Sequence, residues 1–155
     1  MSASTRSVTI TRPSDTTAYT ANDVVGATAA ALNFTNVAPQ NSVIIVTSVE
    51  LEIDVTAVPS GMTSFRLHLY NVTPPSAAAD NAAWDLPAGD RAAYLGYIDL
   101  GTPADLGSTL YVRSDGVNAQ FQLIGTGLFG YLVTIGAFTP SSAAVKKITL
   151  HSIEV

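Results

Sequence analysis

The stretch Gly61–Tyr70 reads GMTSFRLHLY, and from Phe65 it alternates: Phe65, Leu67 and Leu69 on one side, Arg66, His68 and Tyr70 on the other. A period of two describes a strand with one face in a core and the other toward water or a partner. Pro59-Ser60-Gly61 supplies a turn before it, and Pro74-Pro75 bars its continuation inside a sheet. The loop SAAADNAAWDLPAGDRAA then carries the only tryptophan, Trp84, ahead of a second strand at Tyr94–Leu100. Connections of that length commonly carry function or an interface.

Outward from this pair, the chain repeats the same signal. Ser42–Val55 (SVIIVTSVELEIDV) sets Val49, Leu51, Ile53 and Val55 against Glu50, Glu52 and Asp54. Its continuously apolar start, Val43–Val46, predicts cover on both faces, with a bend or bulge near Thr47-Ser48. Leu128–Phe138 is apolar on both faces and belongs in the core, and Val145–Val155 places Ile148, Leu150 and Ser152 opposite Thr149, His151 and Ile153. Short strands are expected at Ser7–Thr11, Thr109–Arg113 and Ala119–Ile124, the last two joined by a turn at Ser114-Asp115-Gly116. Gly101–Gly107 reads as a loop with a helical turn after Pro103, and Ala27–Phe34 fits a helical turn or a strand. Eight to ten strands with almost no helical periodicity predict an all-β sandwich, jelly-roll-like. Residues 1–26 read as an extended N-terminal arm and 27–155 as one sandwich domain.

Composition narrows the function classes. Charged residues are 12% of the 155, about half the usual share, while 47% are hydrophobic without any run long enough to span a bilayer. Such a surface is either neutral and hydroxyl-rich or covered by other subunits. The net charge of −5 is unlike that of a nucleic-acid binder. The absence of cysteine removes disulfides, thiolate nucleophiles and cysteine metal sites together. The opening residues carry no apolar core of a secretory signal.

Candidate chemistry is sparse. Gly125-Thr-Gly127-Leu-Phe-Gly130 matches G-x-G-x-x-G, but YLVTIGAF follows where a dinucleotide site needs a helix, so the glycines read as a turn and close sheet packing. His68 and His151 each lie on the polar face of a strand, with no nucleophile elbow and no second histidine at ligand spacing. Asp80, Asp85 and Asp90 are carboxylates of the kind calcium takes, yet they lack EF-hand spacing and are also ordinary turn residues. Glu50, Glu52 and Asp54 stand about 7 Å apart along a strand, too far to chelate one ion unaided. Neither a cofactor nor an enzymatic activity is expected. Trp84 is either a plug on the local core or an interface anchor.

Three segments carry a resemblance: TITRPSDTTAYTANDVVG, GMTSFRLHLYNVTPPSAAADNAAW and GDRAAYLGYIDL. They resemble small proteins encoded in the head modules of tailed bacteriophages, several of which are capsid decoration, or cement, proteins. The resemblance runs from about Val8 to Val155 and defines no catalytic or ligand motif. It implies a β-rich virion protein, made in the host bacterial cytoplasm, that sits on the capsid surface, often as a homotrimer. The implied partner is the major capsid protein, with neither nucleic acid nor membrane involved. A carbohydrate- or receptor-binding module of a phage tail or fibre is the alternative, with Trp84, Tyr94 and Tyr97 as its aromatics. For the capsid or subunit interface the residues to expect are Arg6, Arg12 and Tyr19 of the arm, with Trp84 and Arg91 of the long loop.

Overall fold

A computed structural model of the chain describes residues 1–26 and 30–155. Among these described residues nine strands follow in order: β1 (Ser2–Thr11), β2 (Leu32–Phe34), β3 (Val43–Ile53), β4 (Phe65–Tyr70), β5 (Tyr94–Leu100), β6 (Ala104–Asp105), β7 (Leu110–Gln122), β8 (Leu128–Thr134) and β9 (Val145–Glu154). One sheet has the order β1-β9-β3-β7-β6 and the other β2-β8-β4-β5, with every pairing antiparallel. Leaving aside short β6, the chain crosses between the sheets at every step except β4 to β5. That order is two interlocked Greek keys, so the sandwich is a jelly roll.

Alternation places the core. Ile44, Val46, Val49 and Leu51 of β3, Phe65, Leu67 and Leu69 of β4, Leu128 of β8 and Ile148 and Leu150 of β9 all have no exposed surface. The three stretches expected in the core are there. Against both neighbours β3 shifts register between Val46 and Ser48, the bulge expected from its sequence.

Several expectations require correction. Val43 and Ile45 are half-buried, because no described element covers the outer face of the five-stranded sheet; Ile45 stands between Gln120 and Ile153. Asp115-Gly116 is not a hairpin turn but lies inside the continuous strand β7. There Gly116, Val117 and Asn118 oppose Thr47 alone, with Gly116 and Asn118 at φ 66° and 48°. The left-handed conformations that a turn would use are spent on a bulge. After Pro103 the chain is extended as β6, and Asp105 accepts a hydrogen bond from Gly107 N–H at 2.7 Å instead of starting a helix. Of the ambiguous Ala27–Phe34, residues 27–29 lie outside the described residues, and Leu32–Phe34 is a strand.

The N-terminal arm is the largest correction. Ser2–Thr11 pairs with β9 through ten registered residues, and Tyr19, Val24 and Val25 are about 1% exposed. Residues 1–26 therefore belong to the sandwich. An apolar Tyr-Val-Val set contributes more free energy buried than free, and β9 satisfies one edge of β1.

Candidate attachment surface

The outer face of the four-stranded sheet is where sequence and structure converge. β4 presents Arg66, His68 and Tyr70 there, and register sets them beside Asp99, Tyr97 and Tyr94 of β5 and Val133, Tyr131 and Phe129 of β8. The loop between β4 and β5 folds back over this face instead of extending away. It meets the segment after β1, where Asp23 bridges to Ala83, Trp84 N–H donates to Asn22 O at 2.9 Å and Val24 N–H to Ala82 O at 2.8 Å. A second apolar cluster results, in which Trp84, Leu86, Tyr94 and Phe129 pack around buried Val24, Tyr70, Ala93, Tyr131 and Val133.

Trp84 lies at its centre. Its ring stacks on His68 with centroids 3.6 Å apart and planes 15° from parallel, and its indole N–H donates to Tyr70 Oη at 3.3 Å. His68 Nδ1 and Tyr94 Oη are 2.8 Å apart. His68 is 3% exposed, and that burial, reinforced by the Arg66 charge, pushes its pKa down to about 4. It is a neutral imidazole at physiological pH. Burial raises the Tyr94 hydroxyl to about 12. Trp84 is thus the plug of the two roles its sequence left open, although it remains half-exposed.

Beyond the plug, the face is open. Tyr97 is 52% exposed, with the Arg66 guanidinium carbon 3.9 Å from its ring centroid. Asp99 accepts from Arg66 Nε at 2.7 Å and from a terminal nitrogen at 3.4 Å. The fork and the stack together fix Arg66 in one pose, so little side-chain entropy remains to be lost on binding. An exposed Tyr with an Arg stacked on its ring combines residue types over-represented at interface hot spots.

The residues predicted for an interface do not gather into one. Arg12 is 2% exposed and forms a buried cluster. Its guanidinium donates to Tyr19 Oη at 3.2 Å, to Asp15 Oδ1 at 2.9 Å, to Asp80 Oδ2 at 3.4 Å and to the Asp15 carbonyl. Tyr19 Oη donates to Asp80 Oδ1 at 2.5 Å, and burial followed by that bond raises its pKa. Asp80 also accepts from Gly26 N–H at 3.0 Å. The cluster ties the segment after β1 to the long loop, so Arg12 and Tyr19 act as staples within the fold. Arg6 is exposed and donates to the Asn36 carbonyl at 2.7 Å, and Arg91 is exposed just after a short 3-10 turn, Ala88–Asp90. Sequence reading missed Arg66 and Asp99 as a pair. Alternation had turned Arg66 outward, but only the register with β5 brings Asp99 opposite.

The remaining candidates resolve as follows. The glycine-rich stretch leads into β8 with no helix, and a Cβ on Gly127 or Gly130 would stand 2.5 Å from Phe34 O or 2.6 Å from His68 O. His68 and His151 lie on different sheets. Asp80 serves the buried cluster with Arg12, Tyr19 and Gly26 N–H, and Asp90 serves the loop's own polar groups, accepting from Ser76 N–H at 3.3 Å and Ser76 Oγ at 3.0 Å. Among the described residues no group of three or more carboxylates or histidines is gathered to hold a metal. Thr5 Oγ1, His151 and Glu50 follow one another in the order of a hydrolytic triad, at 3.1 Å to Nδ1 and 3.6 Å from Nε2. The second distance is too long for a hydrogen bond, and Glu50 is engaged by Arg113 at 2.7 Å and Tyr111 at 3.2 Å. This is a polar ladder across a sheet.

No protein-family model matches the chain, and no curated protein sequence matches it. Solved structures give distant likenesses, virus and phage capsids among them. The capsid of Ralstonia phage GP4 aligns with 99% of this chain and 83% of its own, at 9% identity and TM-score 0.45. The cyanophage Pam1 capsid aligns with 99% and 84%, at 12% and 0.37. A lipoprotein of Bacteroides thetaiotaomicron aligns with 98% and 83%, at 10% and 0.39. All three TM-scores lie below 0.5, and the jelly-roll assignment rests on the strand order itself.

Proposed function

We propose that this chain is a structural virion protein that binds the outside of a phage capsid and stabilises it, a decoration or cement protein without catalytic activity. The observation that carries the reading is the Arg66–Tyr97–Asp99 group on the outer face of the four-stranded sheet, where Arg66 is held between the exposed Tyr97 ring and the Asp99 carboxylate. Its partner is the major capsid protein, its place the virion surface, and several copies act together. The acidic balance supports a protein–protein role over nucleic-acid binding. Binding of Tyr97→Ala and Arg66→Ala variants to undecorated shells tests it. A hot-spot residue is worth about 2 kcal/mol or more, so each variant binds roughly thirtyfold more weakly at about 1.4 kcal/mol per decade. Parental affinity in both variants refutes the assignment of this surface, and no binding by the parent refutes the function.

The open ring of Tyr97 beside Asp99 also favours a second reading, a carbohydrate- or receptor-binding module of a phage tail or fibre. A glycan array separates the two, because a cement protein leaves it blank.

A further inference from the structure

The sandwich has four sheet edges, and three of them are guarded. β2 and β6 are three and two residues long, and short edges offer little to pair with; beyond β6, the outer edge of β7 carries Arg113 and Asp115 and is broken by the bulge of Gly116, Val117 and Asn118. β5 is interrupted by a register shift opposite Leu69/Tyr70, has Gly96 at φ 117° and carries Asp99. β1 differs on every count. Its ten residues pair with β9 without a register shift, no strand among the described residues lies on its other side, and it contains no proline, lysine or acid. Its only charge is Arg6, whose guanidinium is turned onto the Asn36 carbonyl at 2.7 Å. A long, regular, nearly neutral edge is a template for another strand.

We infer that β1 is the interface between two copies of this chain, pairing antiparallel with its own counterpart about a two-fold axis at Ser7. The occupant follows from self-complementarity. Among the described residues, only β1 offers an edge long and regular enough to match β1. A two-fold axis perpendicular to the sheet preserves the in-and-out alternation only when a residue pairs with one of the same parity. Centring on Arg6 would oppose two like charges, and centring on Val8 shortens the ladder to Thr5–Thr11. Centring on Ser7 pairs Ala3 through Thr11 of both copies with no charges directly opposed.

In that register the outward row is hydroxyl on hydroxyl, Ser7 with Ser7 and Thr5 with Thr9. It continues the bonds already made toward β9, Ser7 Oγ to Thr149 Oγ1 at 2.8 Å and Thr5 Oγ1 to His151 Nδ1 at 3.1 Å. The inward row sets half-buried Val8 against the aliphatic stem of the opposite Arg6, and half-buried Ile10 against Ser4. Two five-stranded sheets thereby join into one of ten, leaving the Arg66–Tyr97 surface of both copies free. The inference stands independently of the capsid reading.

A charge exchange at the axis tests it. Ser7 is exposed, so Ser7→Lys and Ser7→Glu leave the sandwich intact while each variant opposes like charges across the axis. Light scattering of the full chain at micromolar concentration is expected to give about twice the 16.1 kDa subunit mass for the parent. It gives the subunit mass for each variant alone and the doubled mass again for their equimolar mixture. Circular dichroism checks that both variants keep the parent's β spectrum, and the double variants Thr5→Lys/Thr9→Lys and Thr5→Glu/Thr9→Glu repeat the exchange one step off the axis should either unfold. A parental monomer or trimer overturns the inference, as does a Ser7→Lys variant that stays dimeric or a mixture that stays monomeric. Shell binding by a parental monomer or trimer would sink the dimer and leave the capsid role standing.

Discussion

Replacing Trp84 by alanine separates a plug from an anchor. The change removes the 3.6 Å stack on His68, the 3.3 Å bond to Tyr70 Oη and contact with Tyr94. Full truncation of a buried tryptophan costs about 3–5 kcal/mol. Trp84 is only half-buried, so about 2–3 kcal/mol is expected, part of it from the aromatic pairing. For a domain of this size that lowers the melting temperature by roughly 5–10 °C. A second readout comes from His68. Its folded pKa of about 4 lies below the ordinary 6.5, so between those values the unfolded chain binds more protons than the folded one. Stability therefore falls as pH drops through that window, by on the order of 3 kcal/mol in all. Removing the indole readmits water to the imidazole, raises its pKa and shrinks the acid loss. Scanning calorimetry from pH 7 to 4, with the His68 titration followed by NMR, reads both. A melting temperature within about 1 °C of the parent's, together with an unmoved His68 pKa, refutes the plug.

Lys146 is 2% exposed with no hydrogen-bond partner for its Nζ, and burial, against the pull of Asp80, brings its pKa down to about 8. Between there and 10.5 the unfolded chain holds more protons, so stability rises with pH until the upward-shifted Tyr19 and Tyr94 reverse the trend above about 10. Lys146→Met is expected to stabilise the protein at pH 7 by about 1–3 kcal/mol and to flatten that rise; a loss of stability in urea titrations at pH 7 would mean the ammonium is net favourable beside Asp80. Gly130→Ala drives a Cβ to 2.6 Å from the His68 carbonyl, where Gly125→Ala meets nothing within 4 Å. The first should cost about 1–3 kcal/mol and the second less than about 0.5. Equal melting temperatures would remove close packing as the reason for the glycines.

Periodicity carried the fold because this chain obeys it almost everywhere. FRLHLY, VELEI and KITLHS all bury the residues their alternation designates. What failed is non-local. Asp115-Gly116 has the signature of a hairpin turn, and only its pairing with β3 makes it a bulge in a longer strand. Likewise the opening residues hold as many strand formers as an interior strand does. Whether such a segment reaches outward or closes a sheet depends on whether β9 leaves an edge free, which no window around residues 1–26 contains.

The candidate site misled for a related reason. Charged and aromatic residues in a segment read as an arm look like a binding surface, and Arg12 and Tyr19 have the residue types of a hot spot. Their joint burial rests on Asp80, 61 residues from Tyr19 along the chain, which joins the local Asp15 at the guanidinium and also takes the Tyr19 hydroxyl. A guanidinium without such carboxylates would have to remain in water. The same logic runs the other way for Arg66: with Asp99 and Tyr97 at an exposed edge, it satisfies its charge without leaving solvent, and so remains available to a partner. An arginine therefore becomes a staple or a contact according to where its carboxylate lies in the fold, and in this jelly roll that position is set by strand register and by the path of one long loop.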